Sequence, residues 1–269
     1  ADPFAFDDPA DFTYKPWCAN AACTEFLPAM ATIAPVAPIV CGVTPTTTID
    51  VNISGIPTGM IAQGYQLTLH FNPAKTSIAS VDDIAQGGFL PLSTGFTVRT
   101  IDNVNGTVVI ASTIFGTASN DPSKPLAKIT LTHLGVAGDI ALSLSDVLLS
   151  DADGQPIPAD VSPTPVILTL QPSVKNTTKS LDYCDLASAV AGAAASGDVL
   201  QLQADITIPA TVTVDKALTL DLNGKVATYS TTDNSYALTV NGTDAALTVV
   251  DGITPSTGKI LVVDADQLW

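Results

Sequence analysis

The chain has 269 residues, of which 26 are Asp or Glu and 10 are Lys or Arg, giving a formal charge of -16 and a pI near 4.1. Arg99 is the single arginine, which excludes a phosphate-tracking nucleic-acid surface and a polybasic membrane anchor, since both need clustered Lys and Arg. Charged residues make up 13% against 46% hydrophobic, so a large core can be buried, while the scarcity of Glu, Lys and Arg on would-be exposed helix positions excludes a mainly helical protein.

Residues 1–43 read as an extended Pro/Ala-rich leader arm carrying Phe4, Phe6, Phe12, Tyr14, Trp17 and Phe26. Its most apolar part, residues 26–43, has no charge but is broken by Pro28, Pro35 and Pro38. Three prolines are incompatible with an unsupported membrane helix, so no membrane span is expected there. Residues 44–172 alternate apolar and polar positions. Examples are Ile49, Val51 and Ile53; Tyr65, Leu67, Leu69 and Phe71; Ala127, Ile129 and Leu131; Ile140, Leu142 and Leu144; Val166, Leu168 and Leu170. Period-two runs separated by Gly, Pro, Asn and Asp predict a β-sandwich.

Within this region the runs Ile53-Ser-Gly-Ile-Pro57, Gly64-Tyr-Gln-Leu-Thr-Leu-His-Phe-Asn-Pro73, Leu126-Ala-Lys-Ile-Thr-Leu131 and Leu144-Ser-Asp-Val-Leu-Leu-Ser-Asp-Ala-Asp-Gly-Gln-Pro-Ile-Pro158 resemble a cohesin domain. The resemblance implies a jelly-roll sandwich that acts as a protein docking module on a bacterial or archaeal surface. It carries over no partner-binding residues.

Residues 173–182 read as a polar linker. Residues 185–196 predict one Ala-rich capping helix, ended by Gly197. Residues 183–269 otherwise break into short apolar runs with turns at Asp205, Asp215, Asn223-Gly224, Asn241-Gly242 and Asp251-Gly252. The stretches Ser196-Gly-Asp-Val-Leu-Gln-Leu and Thr213-Val-Asp-Lys-Ala-Leu-Thr-Leu-Asp-Leu-Asn-Gly224 resemble the first rungs of a pectin-lyase-like, right-handed parallel β-helix. The expected fold class is therefore all-β: a cohesin-like jelly-roll sandwich followed by a short parallel β-solenoid with one N-terminal capping helix.

The first residue is Ala1, and the expectation is a mature chain freed of a secretory signal. Cys18, Cys23, Cys41 and Cys184 fit an oxidising, extracellular or cell-surface location and two disulfides, with three pairings open. A local Cys18–Cys23 loop would leave Cys41 to staple the N-terminal region to Cys184. Sequons stand at Asn52, Asn105, Asn176 and Asn241.

Chemistry is thin. No Gly-x-Ser-x-Gly elbow occurs. His70 lies on the polar parity of its strand, and His133 extends the apolar parity at a strand end as a core-edge histidine. Asp205, Asp215, Asp221 and Asp251 fall at turns, where Asp accepts backbone N–H groups. The expectation is no catalytic residue and no cofactor. The candidate metal is calcium, at the crowded carboxylates Asp146, Asp151, Asp153 and Asp160, with hard oxygen ligands but no EF-hand spacing. A second acidic patch is Asp7, Asp8 and Asp11.

The leading functional expectation is a non-catalytic structural subunit that assembles with copies of itself into a filament or sheath. The contacts would come from Phe4, Phe6, Phe12 and Trp17 in the arm and from Trp269 at an uncapped solenoid end. The alternatives are a cohesin-like docking module for a dockerin-like or other surface protein, and a carbohydrate-binding protein.

Overall fold

The computed structural model describes residues 27–91, 95–115, 120–193, 197–231 and 235–264. In chain order the first strands are β1 (Ala29–Ile33), β2 (Ile39–Val40), β3 (Thr46–Ser54), β4 (Gly64–His70), β5 (Thr76–Ser77), β6 (Ile84–Gln86), β7 (Gly95–Asp102) and β8 (Thr107–Ile114). They are followed by β9 (Ala127–His133), β10 (Gly138–Ser150), β11 (Pro156–Ile157), β12 (Ala159–Val161) and β13 (Val166–Gln171). Among the described residues these form two facing sheets. The smaller runs β12-β1-β3-β9-β5, with β6 also on β9; the larger runs β2-β13-β10-β4-β8-β7, with β11 also on β10.

The period-two pattern explains why the sheets face each other. In β3 the side chains of Thr47, Ile49, Val51 and Ile53 point inward and their neighbours outward, as a pleated strand requires. Leu67, Leu69, Ile110, Ile129, Leu131, Ile140, Leu142 and Leu168 fill the space between the sheets at 1% exposure or less. Tyr65 crosses that space: its hydroxyl donates to the Leu126 carbonyl at 2.7 Å, and burial pushes its pKa up to about 12.

One irregularity shapes the larger sheet. The β10–β4 register jumps between Ser145, opposite Thr68, and Leu148, opposite Gln66. One extra β10 residue is thus accommodated, and Asp146 adopts φ +51° there. An inserted residue reverses the facing of everything after it. Val147 and Leu149 therefore point inward, at 8% and 2% exposure, while Leu148 turns outward at 59%.

The described part of the expected leader arm, residues 27–43, is not a separate arm. β1 pairs with β3 and with β12, and β2 pairs with β13. The prolines lie outside both strands, so they break the segment without costing ladder hydrogen bonds.

The second region comprises β14 (Val174–Asn176), β15 (Leu181–Tyr183), α1 (Leu186–Gly192), β16 (Asp198–Leu202), β17 (Ile206–Ile208), β18 (Val212–Val214), β19 (Ala217–Asp221), β20 (Val226–Thr231), β21 (Leu238–Val240), β22 (Ala246–Val250) and β23 (Lys259–Asp264). The expected linker at 173–182 is instead structured: β14 pairs antiparallel with β15 and β16, and Val174 and Asn176 are fully buried. Polar letters hid these pairings. The helix is shorter than expected, ending with Ala193 as its C-cap, well before Gly197; Asp185 caps its start by accepting from Ser188 N at 2.7 Å. Its buried residues Leu186, Ala189 and Val190 join the second core.

After the helix, successive turns of chain stack in parallel. β16 pairs with β19 and β19 with β22, in register steps of 20 (198 to 218) and 29 residues (217 to 246). β17 pairs with β20 and β20 with β23, and β18 pairs with β21. Inward side chains stack in columns, such as Leu200 on Leu220 and Ile208 on Tyr229. Antiparallel β14 covers the free edge of β16.

The two regions are joined closely. The disulfide pairs Cys41, at the end of β2, with Cys184, just after β15, and both cysteines are buried. Ser173 Oγ donates to the Cys184 carbonyl at 2.6 Å. Gly42 has φ +82°, and a Cβ there would lie 1.7 Å from that same carbonyl oxygen. Only glycine fits that approach.

Candidate functional site

The outer face of the larger sheet, across β7, β8, β4 and β10, carries exposed apolar side chains on β7 and β10, with half-buried Ala111 on β8 between them. Cross-strand register defines its rows. Val98, Ala111, Gln66 and Leu148 form one row; Phe96, Thr113, Gly64 and Ser150 form the next. Phe96 is 58% exposed, Leu148 59% and Val98 43%. Gly64 contributes no side chain to its row, and a Cβ there would meet Ser150 Oγ at 2.6 Å. The result is a shallow dip of about 350 Å³ flanked by Phe96 and Leu148.

Beside this apolar patch lies a polar string. His70 Nε2 and Ser145 Oγ are 2.8 Å apart, and the Ser145 hydroxyl donates to Asp146 Oδ2 at 2.8 Å. The hydrogen bond from Ser145, and then one from Thr68, hold the Asp146 carboxyl below its ordinary pKa. With the serine proton given to the carboxylate, His70 is left to donate to Ser145 Oγ. A nucleophilic triad needs the histidine between acid and hydroxyl, so that it can take the hydroxyl proton. Here the serine sits in the middle, and the string orders the face rather than activating a nucleophile.

His133 is a satisfied histidine at the core edge. Its Nδ1 donates to the Thr44 carbonyl at 2.8 Å, and its Nε2 lies 2.9 Å from Thr47 Oγ1. Burial lowers its pKa against the opposing hydrogen bond to Thr44, so the neutral form is favoured.

The expected calcium loop does not come together. Asp146 lies on the outer sheet face, Asp151 and Asp153 share the β10–β11 turn, and exposed Asp160 is paired within β12. Asp151 Oδ1 accepts from the backbone N–H groups of Asp153 at 3.0 Å and Gln155 at 2.8 Å, so it is a turn cap. Among the described residues no three or more His, Cys, Asp or Glu side chains are grouped to hold a metal ion. The crowding in sequence is undone because the β10 bulge leaves Asp146 on the sheet face and β12 carries Asp160 away, so that only Asp151 and Asp153 stay together in the turn. Asp7, Asp8 and Asp11 lie outside the described residues, as do Cys18, Cys23, Phe4, Phe6, Phe12, Trp17 and Trp269.

The turn aspartates of the second region bond backbone between stacked turns. Asp205 accepts from Val226 N at 2.8 Å, Asp221 from Gly252 N at 2.8 Å, and Asp251 from Gly224 N at 2.6 Å and Gly258 N at 2.7 Å. Asp215 pairs with Lys216 at 3.4 Å. Of the sequons, Asn105 and Asn241 are exposed and Asn52 is half-buried on β3. Asn176 is fully buried, donating from Nδ2 to Asp198 Oδ2 at 2.8 Å. It therefore cannot carry a glycan in the folded chain, which corrects that expectation.

No family model and no curated protein sequence matches the chain. Solved structures of cohesin modules resemble it at low identity over about half its length. A cohesin module from the family 33 glycoside hydrolase of Clostridium perfringens is 15% identical, with TM-score 0.43, covering 53% of this chain and 96% of its own. The sixth cohesin of Acetivibrio cellulolyticus scaffoldin B, solved in complex with a Cel5 dockerin mutant, is 15% identical, with TM-score 0.42, covering 54% and 100%. A non-cellulosomal cohesin from the hyperthermophilic archaeon Archaeoglobus fulgidus is 12% identical, with TM-score 0.41, covering 54% and 91%.

Proposed function

We propose that this chain is a non-catalytic, extracellular docking module that binds a partner protein through the outer face of its larger sheet. The observation that carries this reading is the cross-strand patch of Phe96, Val98, Ala111 and Leu148 around the Gly64 dip. Large exposed apolar side chains in one contiguous patch are the mark of a protein-binding surface. The bulge at Asp146 turns Leu148 toward solvent, a cost in exposed apolar area that a sheet with no outward role has no reason to carry. The buried Cys41–Cys184 disulfide supports an oxidising compartment. Among the described residues no helix is long and apolar enough to cross a membrane.

Dockerin modules are the probes of choice, because the cohesins named above include one solved with a dockerin. Calorimetric titration of a dockerin panel into the native chain and into Phe96→Arg/Leu148→Arg tests the reading. Binding by the native chain that the double variant loses, and that Thr130→Arg on the smaller sheet keeps, is the expected result. Binding indifferent to the double variant, or no binding by any dockerin, counts against it.

A second reading, parallel stacking of a solenoid into a self-assembled filament, rests on a different observation. Among the described residues β21, β22 and β23 are paired along one edge only, and their inward-facing Val240, Val249 and Val262 are 50%, 44% and 54% exposed. A further turn of chain, continuing this one or supplied by a second copy, would cover them. Sedimentation and negative-stain microscopy separate the two: concentration-dependent filaments favour assembly, and monodisperse particles remove it.

A further inference from the structure

We infer that a second cleft, at the end of the sandwich adjoining the docking face, takes the side chain of an arginine from the partner. The cleft measures about 430 Å³ and lies between the β3–β4 loop and the β10–β11 turn. Met60, Ile61, Pro156 and Ile157 form its apolar walls. Ile61 is 49% exposed although nothing in its loop requires an apolar residue at the surface. Asp151 and Asp153 also line it.

The chemistry of the lining selects the ligand. No Lys, Arg or His lines the cleft, so its field is negative and an anion is excluded. Asp151 Oδ1 is already occupied by two backbone N–H groups, whereas the exposed Asp153 carboxylate has no hydrogen bond or ion pair among the described residues. Two carboxylates, one of them already capping backbone through an oxygen, are too few for calcium, which takes about six to eight oxygens, and among the described residues no three or more His, Cys, Asp or Glu are grouped to hold a metal ion. An arginine satisfies both parts of the lining. Its aliphatic stem lies along the apolar walls, and its weakly hydrated, planar guanidinium reaches the Asp153 carboxylate. The strands fix the position relative to the docking face, because Gln63 and Asp151 are the chain neighbours of Gly64 and Ser150 in the face's outermost row. The arginine's source rests on the docking reading; the cleft's selectivity does not.

The test uses N-acetyl-arginine methylamide as a free probe, followed by two-dimensional amide NMR of the whole chain. Saturable shifts confined to residues 58–63 and 151–157, weakened about threefold in Asp153→Asn, are expected, as befits the loss of one exposed ion pair. Calcium chloride and N-acetyl-glutamate amide should leave these resonances in place. Absence of a saturable shift, shifts unchanged in Asp153→Asn, or equal shifts with calcium would overturn the inference. Probe binding without dockerin binding would defeat only the docking reading. Dockerin binding without probe binding would defeat only the arginine cleft.

Discussion

Leu148 and Leu149 are neighbours in β10 with the same side chain, and the bulge at Asp146 predicts opposite costs for truncating them. Leu149 is 2% exposed between the two sheets, while Leu148 is 59% exposed on the outer face. Leu149→Ala removes a fully buried isobutyl group and leaves a cavity, at a cost of about 2–5 kcal/mol. Leu148→Ala removes mostly solvated atoms, at a cost within about 0.5 kcal/mol. In a chain of this length about 3 kcal/mol lowers the melting temperature by roughly 6–12 °C, which thermal unfolding followed by circular dichroism resolves readily. Simple alternation from the buried Leu144 predicts the reverse, with Leu148 inside and Leu149 outside. If Leu148→Ala cost as much as Leu149→Ala or more, the bulge and the face built on it would both be wrong.

Other outcomes follow from the same structure. Asp198, Asp221 and Asp251 all have pKa values below the ordinary 3.8; the hydrogen bond from Asn176 leads for Asp198, and those from backbone amides dominate for Asp251. For Asp221, burial is the largest influence and acts upward, but the hydrogen bonds from Gln201, Gly252 and Asn223 outweigh it together. Depressed carboxylates bind protons more tightly in the unfolded chain. Their stabilisation is therefore complete above the unfolded pKa and is lost as pH falls through the folded values. Acid titration by circular dichroism should show the stacked second region loosening below about pH 4, with Asp198→Asn flattening that dependence. Replacing both Cys41 and Cys184 with Ala opens a link spanning 143 residues and should cost about 2–5 kcal/mol, read as a lower thermal midpoint. Peptide mass spectrometry after secretion from a glycosylating host should find Asn176 bare in the folded fraction, and any occupancy confined to the more accessible sequons.

Strand positions in the sandwich were legible because one face of each strand is buried, and burial writes itself as period two. Ile49, Val51 and Ile53 behave as the alternation requires, and so do Ile140, Leu142 and Leu144. The outer face was not legible for the same reason. Asp146 breaks the alternation by one residue, and a single polar letter before Val-Leu-Leu does not announce a bulge. The only available signal was that Leu144, Val147 and Leu149 cannot share one face without an extra residue between the first two. Element ends are not legible where polar side chains are buried with partners, as with Asn176 on Asp198 in residues 173–182. The four carboxylates of the expected calcium loop are not grouped among the described residues, because Asp146 sits on the sheet face, Asp151 and Asp153 in the β10–β11 turn and Asp160 on β12. Of the three pairings the sequence leaves open, the structure has Cys41 bonded to Cys184, and His133 sits at the core edge.

The most direct test of the docking account is amide hydrogen exchange of the whole chain with and without a bound dockerin module. New protection is expected across β7, β8, β4 and the part of β10 after Ser145, extending into residues 151–157. Protection confined to the smaller sheet or to the stacked strands of the second region would contradict it.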